Sequence, residues 1–323
     1  MESSCIRFWA LKSNKPEGEI RVPREEAARA MAQWRDLVSQ PHETVAEARA
    51  LVEQFYAQFP VPADVRVENV FIGKASGDWL ATPGASADRA ILYLHGGAYV
   101  LCSAFAYREM TSRIARAAAA RTLVLDYRLA PEHPFPAAIE DAVAAYKHIL
   151  DRGFKPSNIA IVGDSAGGGL TLATLVFLRD AGIALPVCGV CISPWIDLEC
   201  TGGTMETKAD VDPLCSRESL LEEAGMYLAG ESPRNPLASP LYADFKGLPR
   251  LLIQVGTEET LLDDAHRLKR RAMSAGVGVT LEQFEDMPHV WHVFASYLPE
   301  AQEAIDRIGE FVRAQTEAMA KTI

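Results

Sequence analysis

No run of about 18 consecutive apolar residues, the length a helix needs to cross a bilayer, occurs in the 323-residue sequence. The start, Met1-Glu2-Ser3-Ser4, lacks the basic segment and apolar stretch of a secretory leader, so a cytoplasmic, reduced protein with no membrane partner is expected. Dense basic runs are also missing. With 32 Lys and Arg against 43 Asp and Glu, the formal net charge is −11, which argues against a nucleic-acid partner whose phosphates would need neutralising. A neutral or cationic small substrate is the easier match. Cysteine is scarce, with six residues (Cys5, Cys102, Cys188, Cys191, Cys200, Cys215). Cys188-Gly189-Val190-Cys191 lies in an apolar run that reads as a buried strand, and no His or second close Cys pair completes a zinc pattern. Neither disulfide nor metal is expected. Internal repeats and low-complexity segments are absent as well. What remains is globular: 49% hydrophobic and 23% charged residues supply apolar area for one sizeable core.

Met31, Trp34, Leu37 and Val38 recur at helical spacing between Pro23 and Gln40, and Val45, Val52, Phe55, Tyr56 and Phe59 continue the pattern, predicting two amphipathic helices. Pro60-Val61-Pro62 ends them, and alternation over Val65 to Ile72 predicts a strand, so the core is expected to start near residue 62. Short apolar runs then predict strands over 90–94, 122–125, 159–162, 187–192, 251–255 and 277–284. Helical patterns lie between them, notably over 137–150, 166–179 and 265–275. Such alternation builds a mostly parallel sheet covered on both faces. One gap interrupts it. From Trp195 to about Leu248 there are glycines, prolines and one short helical segment near Glu218 to Leu228. Long loops in compact domains are usually functional, and with the N-terminal helices this one is expected to form a lid over the sheet's C-terminal edge. The expected division is cap helices over 1–61, a core over 62–194 and 249–323, and a cap insertion over 195–248.

Ile159-Ala160-Ile161-Val162 runs directly into Gly163-Asp164-Ser165-Ala166-Gly167, and a helical pattern follows. Alone, a Gly-x-Ser-x-Gly pattern can arise by chance in a Gly-rich chain. Between strand and helix it has a mechanical meaning. The sharp turn strains the backbone at Ser165, and small residues two before and two after let strand and helix pass closely. The hydroxyl is then presented at a helix N-terminus, where negative charge is favoured. Ahead of it, Leu92-Tyr93-Leu94 ends in His95-Gly96-Gly97-Ala98-Tyr99. Adjacent glycines can turn backbone N–H groups inward, so Gly96 and Gly97, with Ala166, are expected to donate to an oxyanion. His95 is read as a structural hydrogen-bonder of this loop.

These two motifs, together with Asp126-Tyr127-Arg128-Leu129-Ala130-Pro131-Glu132-His133-Pro134-Phe135-Pro136-Ala137, resemble the bacterial hormone-sensitive-lipase-like family, across about residues 90 to 295. The resemblance implies the α/β-hydrolase fold: an eight-stranded, mostly parallel sheet flanked by helices, with a helical cap from the N-terminus and from an insertion after the sixth strand. The family more often has a third glycine where this chain has Ala98. Arg128 and Glu132 are read as structural, holding the surroundings of the elbow.

In this fold the acid follows a late strand and the histidine follows the last one. Leu251 to Val255 leads into candidates Glu258, Glu259, Asp263 and Asp264. The family pattern, three residues after glycine and two before leucine, selects Glu259, although aspartate is the commoner acid. Asp263 and Asp264 are expected to cap the next helix. His289 directly follows Phe284-Glu285-Asp286-Met287-Pro288 and is the expected base, while His292 packs or caps. His42, His133, His148 and His266 are read as surface or structural.

The expected function is a carboxylic-ester hydrolase with a Ser165–His289–Glu259 triad, an acyl-enzyme and no metal or organic cofactor. Short-acyl esters or small lactones are the expected substrates. Amide or carbamate cleavage shares the same chemistry. A carboxylate-nucleophile enzyme is excluded by Ser165, and a non-catalytic binder is disfavoured because plant receptors resembling this family lack the His that is present here as His289. Tyr99, Trp195 and Leu214 are candidate pocket walls. A homodimer is expected to pair through the edge strand near Val277 to Phe284, as is common among similar proteins.

Overall fold

The computed structural model describes residues 24–320, so residues 1–23 of the expected N-terminal cap and the last three of the core lie outside the described residues. Two helices come first, α1 (Glu25–Ser39) and α2 (Val45–Tyr56). Thr44 starts α2 with a reciprocal capping box, its hydroxyl accepting from Glu47 N while the Glu47 carboxylate accepts from Thr44 N, a cap whose loss typically costs about 1 kcal/mol. The hairpin β1 (Arg66–Ile72) and β2 (Ala75–Ala81) follows, then β3 (Ala90–Leu94), α3 (Ala104–Ala118), β4 (Arg121–Asp126), α4 (Ala137–Asp151), β5 (Ile159–Asp164), α5 (Ala166–Asp180) and β6 (Cys188–Ile192). Two helices, α6 (Thr204–Thr207) and α7 (Arg217–Leu228), interrupt the long segment before β7 (Arg250–Gly256). Finally come α8 (Leu262–Ser274), β8 (Val279–Phe284) and α9 (Pro299–Ala320).

The strands form one eight-stranded sheet in the order β1-β2-β4-β3-β5-β6-β7-β8. Pairing is antiparallel for β1–β2 and β2–β4 and parallel from β4 through β8. This is the α/β-hydrolase architecture implied by the motifs, with β2 as the strand that hydropathy did not reveal. Gly77 and Asp78 interrupt its apolar pattern. Both are structurally occupied: a Cβ on Gly77 would stand 2.7 Å from Val124 O, and buried Asp78 pairs with Arg108 Nε at 2.7 Å.

Alternation sorts the strands' side chains into two cores. Leu92 and Leu94 of β3 join α4, α5 and α8 on one face, while Ile91 and Tyr93 join α1, α2, α3 and α9 on the other. A Cβ on Gly309 would lie 2.3 Å from the Ala117 carbonyl carbon, so α9 crosses α3 closely only because it is glycine there. The segment between β6 and β7 is anchored to α8 by carboxylates. Asp264 Oδ2 accepts from Ile196 N at 3.0 Å and Asp197 N at 3.2 Å, Asp263 Oδ2 accepts from Gly203 N at 3.0 Å, and Arg267 Nη1 donates to Asp197 at 2.8 Å. Asp263 and Asp264 therefore do not cap α8, which has no side-chain cap bond; their oxygens are committed to the incoming loop. Burial pushes the Asp264 carboxyl up to about 7.

Candidate active site

Ser165 stands between β5 and α5 with φ 52° and ψ −122°, a region that non-glycine residues rarely occupy and that persists only when its surroundings enforce it. Those surroundings require small residues. A Cβ on Gly163 would be 2.2 Å from Gly167 O, and one on Gly167 would be 1.9 Å from Leu94 O. Backbone bonds from Ser165 N to Ile192 O (2.8 Å) and from Trp195 N to Ser165 O (2.9 Å) clamp the turn on both sides. Ser165 is 7% exposed, so only a narrow approach reaches it.

The His95-to-Cys102 loop carries a run of unusual conformations: Gly97 φ 94°, Ala98 φ 54°, Tyr99 φ 63° and Cys102 φ 71°. Gly96 lies against the elbow, since a Cβ there would be 2.4 Å from Asp164 Oδ2 and 3.2 Å from Ser165 Cβ. It departs from the expectation that it donates to an oxyanion. Its N–H is already given to Asp164 Oδ1 at 3.1 Å and Tyr107 Oη at 3.2 Å. Among the described residues the N–H groups of Gly97, Ala98 and Ala166 carry no hydrogen bond, and Ala166 opens α5, where backbone N–H groups lack intrahelical partners. Asp164 is held beneath this loop by Tyr93 and Tyr107 hydroxyls at 2.8 Å each. Burial raises its pKa to about 6 against the pull of those donors. His95 stacks on Tyr127 with ring centroids 4.2 Å apart, and its Nδ1 donates to Gly96 O at 2.8 Å, a loop-fixing role.

The turns after β7 and β8 meet because Gly256 leaves room: a Cβ there would stand 2.0 Å from Met287 O. Glu259 and His289 are thereby brought together, with His289 Nδ1 donating to Glu259 Oε2 at 2.9 Å. The other carboxylate oxygen accepts from Ser193 Oγ at 2.7 Å and Gly256 N at 2.6 Å. Glu259 and His289 are 0% and 2% exposed. Because a carboxylate only accepts, the proton sits on Nδ1 and Nε2 keeps its lone pair. Burial opposes the imidazolium, but the Cys215 sulfur and the Glu259 carboxylate beside the ring outweigh it and lift the His289 pKa above its ordinary value. Burial pushes the Cys215 thiol up to about 11 against the opposing pull of the neighbouring His289.

The other candidates separate cleanly. Glu258 pairs with Lys208 at 3.2 Å. His292 Nε2 bonds Gln254 Oε1 at 2.8 Å, and burial together with the nearby His289 lowers it to about 3. Tyr99 and Trp195 are enclosed behind the elbow with ring centroids 6.3 Å apart, whereas Leu214 is half-buried and packs against the core on the α1 and α9 face. Arg128 binds Asp141 and Glu140. Glu132 instead grips Arg49 of α2 at 2.7 Å, so it secures the N-terminal helices rather than the elbow.

Among known proteins, a family profile described as the α/β-hydrolase fold matches residues 91–293. An acetyl-hydrolase of Streptomyces hygroscopicus is 48% identical over 255 residues, 79% of this chain and 84% of that protein. A putative acetyl-hydrolase, LipR, of Mycobacterium tuberculosis is 35% identical over 83% of this chain and 87% of its own length. The crystal structure of an esterase from the bacterial hormone-sensitive lipase family superposes with a TM-score of 0.90 at 50% identity, covering 92% of this chain and all of that one (100%). The chain belongs to the hormone-sensitive-lipase-like esterases of the α/β-hydrolase fold.

Three contacts of this esterase's site had no signal in the motifs. Ser193, φ 43° and fully buried, touches both Glu259 and the backbone beyond His289, accepting from Val290 N at 3.3 Å. It follows β6, the strand next to the elbow strand, at the C-terminal edge of the sheet where ligand-facing residues gather, which is the one cue that pointed to it. Trp34 of α1 donates from Nε1 to His289 O at 3.0 Å. Cys215, just ahead of α7, lies with its thiol against the His289 ring.

Proposed function

We propose that this carboxylesterase cleaves short-acyl esters through Ser165, His289 and Glu259. The observation that carries the reading is the buried His289 Nδ1 to Glu259 Oε2 bond at 2.9 Å, which leaves Nε2 to act as the base toward the strained nucleophile elbow. His289 Nε2 takes the proton as Ser165 Oγ attacks the ester carbonyl, and Glu259 stabilises the imidazolium. N–H groups of Gly97, Ala98 and Ala166 receive the oxyanion, each worth about 3–4 kcal/mol in similar sites. Protonated His289 then gives its proton to the departing alcohol, leaving an acyl-enzyme that water opens by the same route. The chain's own side chains supply every proton transfer, so the reading calls for no cofactor.

Residues 24–61 and 195–248 act in this reading as a cap over the C-terminal ends of the strands, with Leu214 on the cleft wall and Tyr99 and Trp195 backing it. A short acyl group is supported by the acetyl-hydrolase names of the two relatives and by the narrow access to Ser165. We place the protein in the cytoplasm; among the described residues no helix is long and apolar enough to cross a membrane. In solution it pairs as a homodimer through β8. The test is a p-nitrophenyl ester series from acetate to palmitate beside small lactones and anilides. Turnover should peak at or below butyrate, and Ser165→Ala and His289→Ala should each lower kcat by at least about 10⁴-fold. A maximum at long chains, or faster lactone or anilide cleavage, would overturn the short-ester reading.

A further inference from the structure

Helix α7 lies with one face on the site. Leu220, Ala224, Tyr227 and Leu228 are its buried positions. Tyr227 stacks on Tyr99 of the oxyanion loop with ring centroids 3.8 Å apart and planes within 6°, and its carbonyl accepts from Phe135 N at 2.8 Å. Side chains four apart on a helix share a face. Glu223 is therefore one turn from Tyr227 over the same loop, and its carboxylate is close enough to influence both Cys102, at that loop's end, and Cys215, whose thiol meets His289. Glu223 thus stands on α7 one turn ahead of the residue by which this helix stacks on the oxyanion loop.

What distinguishes Glu223 from the exposed Glu218 and Glu222 of the same helix is that it is half-buried and yet has no partner. Three other carboxylates of the insertion and of the turn after β7 are engaged: Asp212 with Leu214 N, Cys215 N and Thr260, Glu258 with Lys208, and Glu199 with Arg234 and Tyr242. Glu223 has no side-chain hydrogen bond or ion pair among the described residues, and the only charge acting on it is the like charge of Glu222. Withdrawal from water pushes its pKa up to about 8. Glu223 is half-buried, and a carboxyl that loses water without gaining a partner costs stability; beside the oxyanion loop that cost is offset when a cation arrives. We propose that Glu223 is a specificity-determining residue that receives a cationic group, a primary or quaternary ammonium, carried by the ester a few bonds from the scissile carbonyl. The proposal rests on the esterase reading above. It also agrees with the chain's overall negative charge, −11, which draws cations rather than anions to the surface.

Two matched substrate pairs test it, each differing only in nitrogen against carbon: acetylcholine with 3,3-dimethylbutyl acetate, and ethyl 4-(trimethylammonio)butanoate with ethyl 5,5-dimethylhexanoate. The first carries the cation on the alcohol side, the second on the acyl side. The readout is the ratio of kcat/KM within a pair, in which any general loss of activity cancels. In the full-length protein the cation should be preferred in at least one pair by about tenfold or more. Glu223→Gln should bring that ratio to near one, and Glu222→Gln, which removes an exposed charge on the same helix, should leave it in place. Ratios near one in both pairs, or a preference that survives Glu223→Gln, would overturn the proposal while leaving the esterase reading intact. Failure to turn over either neutral ester would instead count against the esterase reading.

Discussion

Glu259 differs from the other acids of its loop in what its two oxygens do. One holds His289 and the other is itself held by Ser193 and Gly256, whereas Asp263 and Asp264 bind loop backbone. Glu259→Gln should therefore lower kcat by up to about 10⁴-fold and Asp263→Asn by less than about threefold; steady-state kinetics of the pair checks this, and the reverse order would move the acid to Asp263. The same contact fixes a pH effect. In the proposed mechanism His289 must be neutral to accept the Ser165 proton, and its pKa lies above the ordinary 6.5, so kcat/KM should fall as pH drops through that raised value. The carboxylate favours the imidazolium, so its removal lowers the His289 pKa, and the acid limb of the remaining Glu259→Gln activity should move to lower pH. An unmoved limb would show that Glu259 does not face the base. At this scale the proposed triad could be picked out in the sequence because each member follows a strand end, a feature that apolar runs mark. The proposed oxyanion donors were less legible: a glycine pair shows where the backbone can bend, but only the Asp164 and Tyr107 contacts show that the Gly96 N–H is already engaged.

Helix α1 reaches the site through a single polar atom. Trp34 packs against Phe55 and Phe294 with ring centroids 4.9 Å away in each case, and its Nε1 holds the carbonyl of His289. Trp34→Phe keeps most of the packing and removes that bond. A buried hydrogen bond is worth about 1 kcal/mol, so the transition should fall by a few degrees. The freed His289 loop should cost several-fold in kcat with KM little changed. Loss of stability with an unaltered kcat would reduce α1 to packing alone. The apolar spacing of α1 and α2 announced these helices, yet nothing in that spacing marked which residue would touch the catalytic loop, since the contact spans 255 positions. Elements escaped for a related reason. The β2 segment Ala75–Ala81 reads poorly because Gly77 and Asp78 satisfy partners on β4 and α3 rather than the pattern of their own strand. Local periodicity reports burial only where burial is apolar.

The sheet as a whole leaves two edges, β1 and β8, and they are not equivalent. At β1, Phe71 is 83% exposed, but Val67 and the other outward residues between them are interleaved with Arg66, Glu68 and Asn69. β8 runs parallel to β7 and presents a short row of half-buried residues, Val279, Thr280 and Leu281, ahead of Glu282. An open strand edge invites pairing with a second copy, and a two-fold arrangement satisfies both edges at once. Each chain carries −11, so two copies repel at long range. That repulsion is screened over about 8 Å at physiological ionic strength and reaches further at low salt, while the strand pairing itself is insensitive to salt. Light scattering should thus give a mass of two chains at ordinary ionic strength, and dilution in low-salt buffer should release monomer at higher protein concentrations than dilution in about 0.15 M salt. A single-chain mass under both conditions would rule out pairing through β8. Dissociation promoted by salt would mean that charge complementarity, rather than the strand edge, holds the two chains together.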